Sequence, residues 1–575
     1  MLAALPPNAV TCLRLVDKSS AAVIPAGTIE VKQGVPGWAV VEHLTRRRHE
    51  LTPTKRRQLL GAVAAFGDVA WLERAAEAAD CTFTEEAVAA SAGAGKLACC
   101  QRLLALGCPL GDKSLTAAAS AGQGEACEWL LANGAELSPK APCAVARRGH
   151  AELARSLWER VTAAQPAQPW EASDFLSAMA HGCDLAKLQE MWQPLSKIVF
   201  DVAHSSRLNN LRRVCAAAAG SPTTDWRMKL SWLVAMITRR ERQHAAEEGT
   251  AQASLRADVT IAACKFAACE AAARCPGAEA VDRLTWLHTS CDHLRYPVRA
   301  SAVMAAAAGP GNLPAVTWLH GQDAELPDEA LTVRPPPGVA LADVVPALEA
   351  AGCRISSNGT ALDSIARGDT EGLMWLLKRY GAGGHLSTLT EFLQTVALEG
   401  RVDMLEVLRA HAAREPGAQL WPTEPCHWAA LWHEAVAGGC EAVLQWVKDN
   451  GGTQQPPDAN LLYMTAARNG DHSTLRALAR LRVRMPEPLD PRDARELVEQ
   501  ASQPRGPYRP ASASPLELLM ELDTGLTWEG LEEILALPWG TASLLARVRE
   551  LRARWQKEQA EGGAEVEGQS GAVQG

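Results

Sequence analysis

The residues whose chemistry is most suggestive are few and lie far apart. Gly93-Ala94-Gly95-Lys96 has the glycines and lysine of a phosphate-cradling loop. Leu97 stands where such a loop places Ser or Thr, however, and too few residues separate the glycines. That stretch reads as a turn. His288, Cys291 and His293, with Cys275 upstream, offer nitrogen and sulfur donors for zinc, but their spacing fits no standard finger and suits a loop at a helix end. Two basic runs, Arg46-Arg47-Arg48 and Lys55-Arg56-Arg57, have the composition of a nuclear import signal or a phosphate-contacting patch. Thr52-Pro53-Thr54 between them reads as the start of the helix that opens a longer array, which sets the charges on a solvated face. The sequence has no nucleophile elbow, zinc-binding HExxH helix or complete Walker loop. We therefore expect no catalytic residue, cofactor or metal.

Composition narrows the function classes further. The chain has 575 residues, well beyond what one compact core supports, so it comprises several domains or one extended array. Lys and Arg total 57 against 66 Asp and Glu, a net charge of -9 that argues against nucleic acid or an anionic membrane as the main partner. No window approaches a membrane-spanning apolar run, and the first twenty residues lack the apolar core of a secretory signal. The 16 cysteines are scattered through predicted helices, as suits reduced thiols acting as small hydrophobes. Together these features predict a cytoplasmic protein, with the nucleus also open to it.

The elements behind those residues recur. A Gly is followed seven positions later by a Trp at Gly122 to Trp129, Gly311 to Trp318, Gly368 to Trp375 and Gly439 to Trp446. The fullest copy runs from Leu115 to Leu137: small residues Ala118 and Ala119, then Gly122, then a second apolar run with Trp129, Leu130 and Leu131, closed by Gly134. The pattern predicts helix, turn, helix, turn, with Gly134 at a left-handed helix end. Trp129, Trp318, Trp375 and Trp446 adjoin Leu130, Leu319, Leu376 and Val447, a register that favours packing over a peptide- or glycan-binding stripe. His150 and His433 also fall at structural positions of the repeat.

The stretch from Gly122 to Ala135 resembles the second half of an ankyrin repeat. Similar copies begin at Gly95, Gly149, Gly311, Gly368, Gly400, Gly439 and Gly470, with weaker ones around Gly67, Gly182, Trp232 and Trp286. The resemblance implies an all-α, ankyrin-like helix-turn-helix repeat solenoid that binds another protein. Two departures matter. The usual Thr-Pro-Leu-His opening is absent, and Gly95, Gly122 and Gly149 stand 27 residues apart, short of the roughly 33 of a full unit. Short or missing hairpin fingers follow.

The Ala-rich, Trp-marked style also resembles a group of divergent green-algal ankyrin-type proteins. Members often open with Leu-Pro-Pro and Leu-Arg-Leu-Val segments, as do Leu5-Pro6-Pro7 and Leu13-Arg14-Leu15-Val16. That opening resembles the latter half of an F-box, which implies docking to a ubiquitin-ligase adaptor; a plain cap over the first repeat is the simpler reading. Some chains of this type are grouped with sphingomyelin phosphodiesterase-related proteins, a resemblance that implies a membrane-lipid hydrolase, but the carboxylates and His that its chemistry needs have no visible counterpart here.

The resulting division is 1–50 as F-box-like remnant or cap, 51–485 as ankyrin-like array and 486–515 as Pro-rich linker. A helical cap over 516–558 and a disordered tail over 559–575 complete it. Leu544, Val548, Leu551 and Trp555 form an amphipathic face in that cap, suited to covering the last repeat. The expected function is a non-enzymatic protein-interaction scaffold whose partner no motif names.

Overall fold

Local sequence dictates the recurring turn. In a computed structural model, which describes residues 35–571 apart from 290–295, 381–388, 415–424, 452–455, 457, 486–488, 502–514, 523, 525 and 537–541, helices occupy most of the chain. The β pairing among the described residues is two isolated bridges, Cys81 with Asp471 and Leu331 with Ile355. The fold is an all-α helical-repeat solenoid. The glycines at 95, 122, 149, 311, 368, 400, 439 and 470 all sit between a first and a second helix with positive φ. At Gly122 the reason is explicit: its N–H bonds the Ala119 carbonyl at 2.9 Å and the Gln123 N–H reaches back to Ala118 at 2.9 Å. This is the Schellman closure, which needs a left-handed residue. The same pair of bonds closes the turns at Gly149, Gly311, Gly368, Gly400 and Gly470.

Contacts divide the chain into two compact bodies. The first comprises Met1–Ser91, Ala98–Pro109 and Thr388–Gly575; the second comprises Ala92–Leu97 and Leu110–Ser387.

In the second body the first helices pack on one another in a row: Asp112–Ser120, Lys140–Arg147, Pro169–Gly182, His204–Ala219, Ala251–Ala273 and Ser301–Ala308. Their facing sides carry small residues, with Ala118, Ala146, Ala178, Ala218, Ala268 and Ala307 fully buried, so the backbones approach closely. Where the helices lengthen and no left-handed glycine closes the first helix, a buried side chain from the following pair takes over. Lys229 Nζ donates to the carbonyls of Ala180 and Cys183, both at 2.8 Å, and burial lowers its pKa. Arg283 bonds the carbonyls of Ala219 and Ser221, and Asn312 those of Ala273 and Cys275. Each cap supplies donors to helix-end carbonyls that would otherwise be orphaned. Pro335-Pro336-Pro337 removes one first helix, and the following second helix, Leu341–Ala350, keeps its place.

The first body brings together early and late parts of the described chain. Pro53–Phe66 with Val69–Ala79 forms a helix pair in the same body as Leu389–Leu398 with Val402–Arg414, Pro425–Gly438 with Glu441–Asn450, and Ala459–Arg468 with His472–Arg480. Thr52 caps the Pro53 helix, its hydroxyl accepting from the Lys55 N–H at 3.3 Å. A helix, Pro491–Ala501, forms within the segment 486–515. It packs with Pro515–Glu521, Trp528–Leu535 and Ala542–Gly571, where Leu544, Val548 and Leu551 are buried and the Trp555 and Trp528 rings lie 6.0 Å apart. The last helix extends through 559–571, where polar, Gly-rich composition predicts disorder.

Candidate interaction site

The basic run at 55–57 explains how residues near the start of the chain meet the late repeats. Lys55 Nζ donates to the Glu399 carbonyl at 3.1 Å, Arg56 Nη2 to that of Gly439 at 3.4 Å, and the Arg57 guanidinium to that of Asn469. Those carbonyls end three successive first helices. Three consecutive cations thus meet three helix C-termini, where unsatisfied acceptors and the macrodipole favour positive charge. Arg56 also donates to Ala79 O at 2.7 Å and to Asp471 Oδ1 at 2.7 Å, with both side chains 1% exposed. The solvated face expected for this run is therefore corrected for Arg56, because helix-end carbonyls and Asp471 provide for its charge in place of water.

Around that buried pair lies a charged surface groove. Asp80 ends the Val69–Ala79 helix in the left-handed region at φ 49°. Its carbonyl accepts the Ser473 N–H at 3.3 Å, and its carboxylate receives Arg476 and lies 3.7 Å from Arg48. Glu441 receives Ser473 and Arg480. Arg48 and Arg476 belong to two adjoining cavities, one of about 360 Å³ floored by Glu441 and Ser473, the other of about 540 Å³ reaching Cys81 and Phe83. His472 lies beside them, 2% exposed, with neither ring nitrogen hydrogen-bonded. Burial lowers its pKa, as does Arg476, against the opposing pull of Asp80 and Asp471.

The sequence-predicted residues fall elsewhere in the repeat. Trp129, Trp318 and Trp375 are half-buried while Leu130, Leu319 and Leu376 beside them are fully buried; Trp446 is buried, its Nε1 donating to Glu406 at 2.6 Å. Gly134 has φ 90°. A Cβ on Gly122 would meet the His150 ring at 2.8 Å, and one on Gly95 the Gln123 side chain at 2.8 Å. His433 lies 3.6 Å from Asp458. Of the zinc candidates, His288 stands edge-on to Trp318 and Cys275 is buried, whereas Cys291 and His293 lie outside the described residues. The F-box-like residues 5–18 also lie outside them. Among the described residues no three His, Cys, Asp or Glu side chains gather to hold a metal, and no helix is long and apolar enough to cross a membrane. Burial raises the thiol pKa of Cys127 to about 11 and of Cys143 to about 12.

Asp80, Glu441, Arg476 and Arg480 were not singled out from the sequence, and Arg48 was noted only as part of the Arg46-Arg47-Arg48 run. The one local signal is Arg476 and Arg480 four apart on a helix, and that spacing does not reveal a partner 396 residues away.

No family model matches the chain, and no curated protein matches it. Among solved structures it is similar to the pentatricopeptide repeat protein PPR10 from maize, at 10% identity over 98% of this chain and 87% of that one, with a TM-score of 0.25. A likeness of that size assigns neither register nor partner.

Proposed function

We propose that this chain is an ankyrin-like helical-repeat scaffold that binds another protein and performs no chemistry of its own. The observation that carries this reading is the turn repeated at eight glycines with positive φ, six of them closed by the same two backbone bonds. Conservation of the frame with variation between the frames is how a repeat array presents a binding surface. The array spans 51–485, capped by 1–50 and 516–558, and works in the cytoplasm or nucleus. Affinity purification of the full chain from two independent lysates tests it: the same protein recovered in both is expected, and nothing above background in either overturns it.

A second reading rests on Leu5-Pro6-Pro7 and Leu13-Arg14-Leu15-Val16, whose F-box resemblance favours a substrate receptor for a ubiquitin ligase. Deleting residues 5–18 then abolishes co-purification of the adaptor. Absence of any adaptor from the full-length preparation ends this reading.

A further inference from the structure

The groove of the first body has its charges sorted by depth. Asp80 and Glu441 lie on its floor, 8% and 10% exposed, while Arg48, Arg476 and Arg480 rise to the rim at 36%, 41% and 64%. Over the cavity floored by Glu441 and Ser473, Arg48, Arg476 and Arg480 make the solvent-facing rim cationic although the chain carries -9 overall, while exposed Glu77 adds one carboxylate to the neighbouring cavity. A guanidinium has five N–H donors, and a contact to one carboxylate leaves donors for a second anion. Leu522 and Ala479 add an apolar wall to the cavity that Glu441 floors. The site is also fixed in place: Asp80 is held in the left-handed region, its backbone carbonyl is bound by Ser473, and Arg56 with Asp471 forms the buried support below.

We infer that this arginine-rimmed groove is the docking site for an acidic segment of a partner protein, whose Asp or Glu side chains pair with Arg48, Arg476 and Arg480 while an interspersed apolar residue rests on Leu522. This rests on the scaffold reading and gives it a location. Charge complementarity selects the occupant: the exposed tips are planar, fixed guanidiniums, which suit bidentate carboxylate pairing. A cationic segment is repelled by the same rim.

The test uses the full chain and a fluorescein-labelled peptide of three Glu-Glu-Leu repeats, read by fluorescence anisotropy. Saturable binding is expected, weakening as salt rises from 50 to 300 mM, with at least about tenfold loss of affinity when every Glu of the peptide becomes Gln. Arg480→Gln, at the most exposed position, is expected to weaken binding by about three- to tenfold with an unchanged melting temperature. The Gln peptide leaves the protein unaltered, so the comparison holds even if a variant folds poorly. Equal affinity for the Glu and Gln peptides overturns the assignment, as does tighter binding of a labelled single-stranded DNA of matched charge. If Arg480→Gln recovers the same partner from lysate in undiminished amount and binds the Glu peptide with unchanged affinity, the groove assignment falls and the scaffold reading stands. Recovery of no protein at all brings down the scaffold reading itself.

Discussion

Arg56 and Asp471, 415 residues apart in sequence, meet in a buried ion pair of 2.7 Å. Arg56→Met strands Asp471 without its charge partner and is expected to cost about 3–5 kcal/mol in denaturant unfolding. Asp471 keeps its Thr474 hydroxyl contact of 2.6 Å, which softens the loss without replacing the charge. Changing both residues to apolar ones of similar size should recover much of the stability, since the cost arises from one uncompensated charge. An equal loss in single and double variants contradicts the pairing.

Gly122 and Gly124 stand two residues apart and answer opposite demands. Gly122 has φ 72° and leaves no room for a Cβ beside His150, whereas a Cβ on Gly124 meets nothing within 4 Å. Gly122→Ala is therefore expected to lose about 1–3 kcal/mol. Gly124→Ala gains up to about 1 kcal/mol by restricting the unfolded chain. Midpoints of chemical denaturation separate the two, and shifts of the same sign would refute the turn geometry.

His472 makes stability depend on pH in a definite direction. Its buried pKa lies below the ordinary 6.5, so the unfolded chain binds a proton that the folded chain resists. Stability is then fully present above pH 6.5 and is lost as pH falls below it, until the folded pKa is reached. Asp80 and Asp471 oppose the shift, while Arg476 and Arg56 add to it. His43 and His181 are lowered in the same way and contribute with the same sign. Thermal melts from pH 7.5 to 5.5 should show a falling midpoint, with a shallower fall in His472→Leu.

Asp80 combines an unusual backbone with a paired carboxylate. Asp80→Gly and Asp80→Ala both remove the carboxylate, but only alanine must bear the left-handed φ of 49°. The alanine variant is expected to be less stable than the glycine variant by about 1–2 kcal/mol. Equal stabilities would show that the helix end relaxes once the carboxylate is gone.

The sequence made some layers of the structure legible and left others hidden. Glycine is the residue for left-handed turns, so its recurrence beside small and apolar residues announces helix pairs from sequence alone. Pairing between Lys55-Arg56-Arg57 and the ends of three late helices leaves no such trace. Its acceptors are backbone carbonyls, which every residue carries, and they lie hundreds of positions away. The groove is hidden for the same reason: Asp80 and Glu441 are ordinary acidic residues until folding sinks them beneath three arginines. Helix closure by Lys229, Arg283 and Asn312 was equally invisible, because a lone polar residue in a helical stretch reads as surface.

A Cβ on Gly95 would strike Gln123, one on Gly122 His150 and one on Gly439 Asp471, while one on Gly400 would lie 3.1 Å from Cys440 behind the nearer Thr52, and each of the plugs Gln123, His150, Cys440 and Asp471 follows the glycine of the next pair. A segment cut from just after one such glycine through the next therefore carries one recess and one plug in matching phase. Removing 123–149 leaves neighbours that still interlock, so the array can shorten or lengthen by whole segments without redesign of its joints. The last recess, at Gly470, has no later repeat to fill it, and Thr82 occupies that place. The segment carrying Thr82 thus works as an end stop whose loss would leave the final joint open.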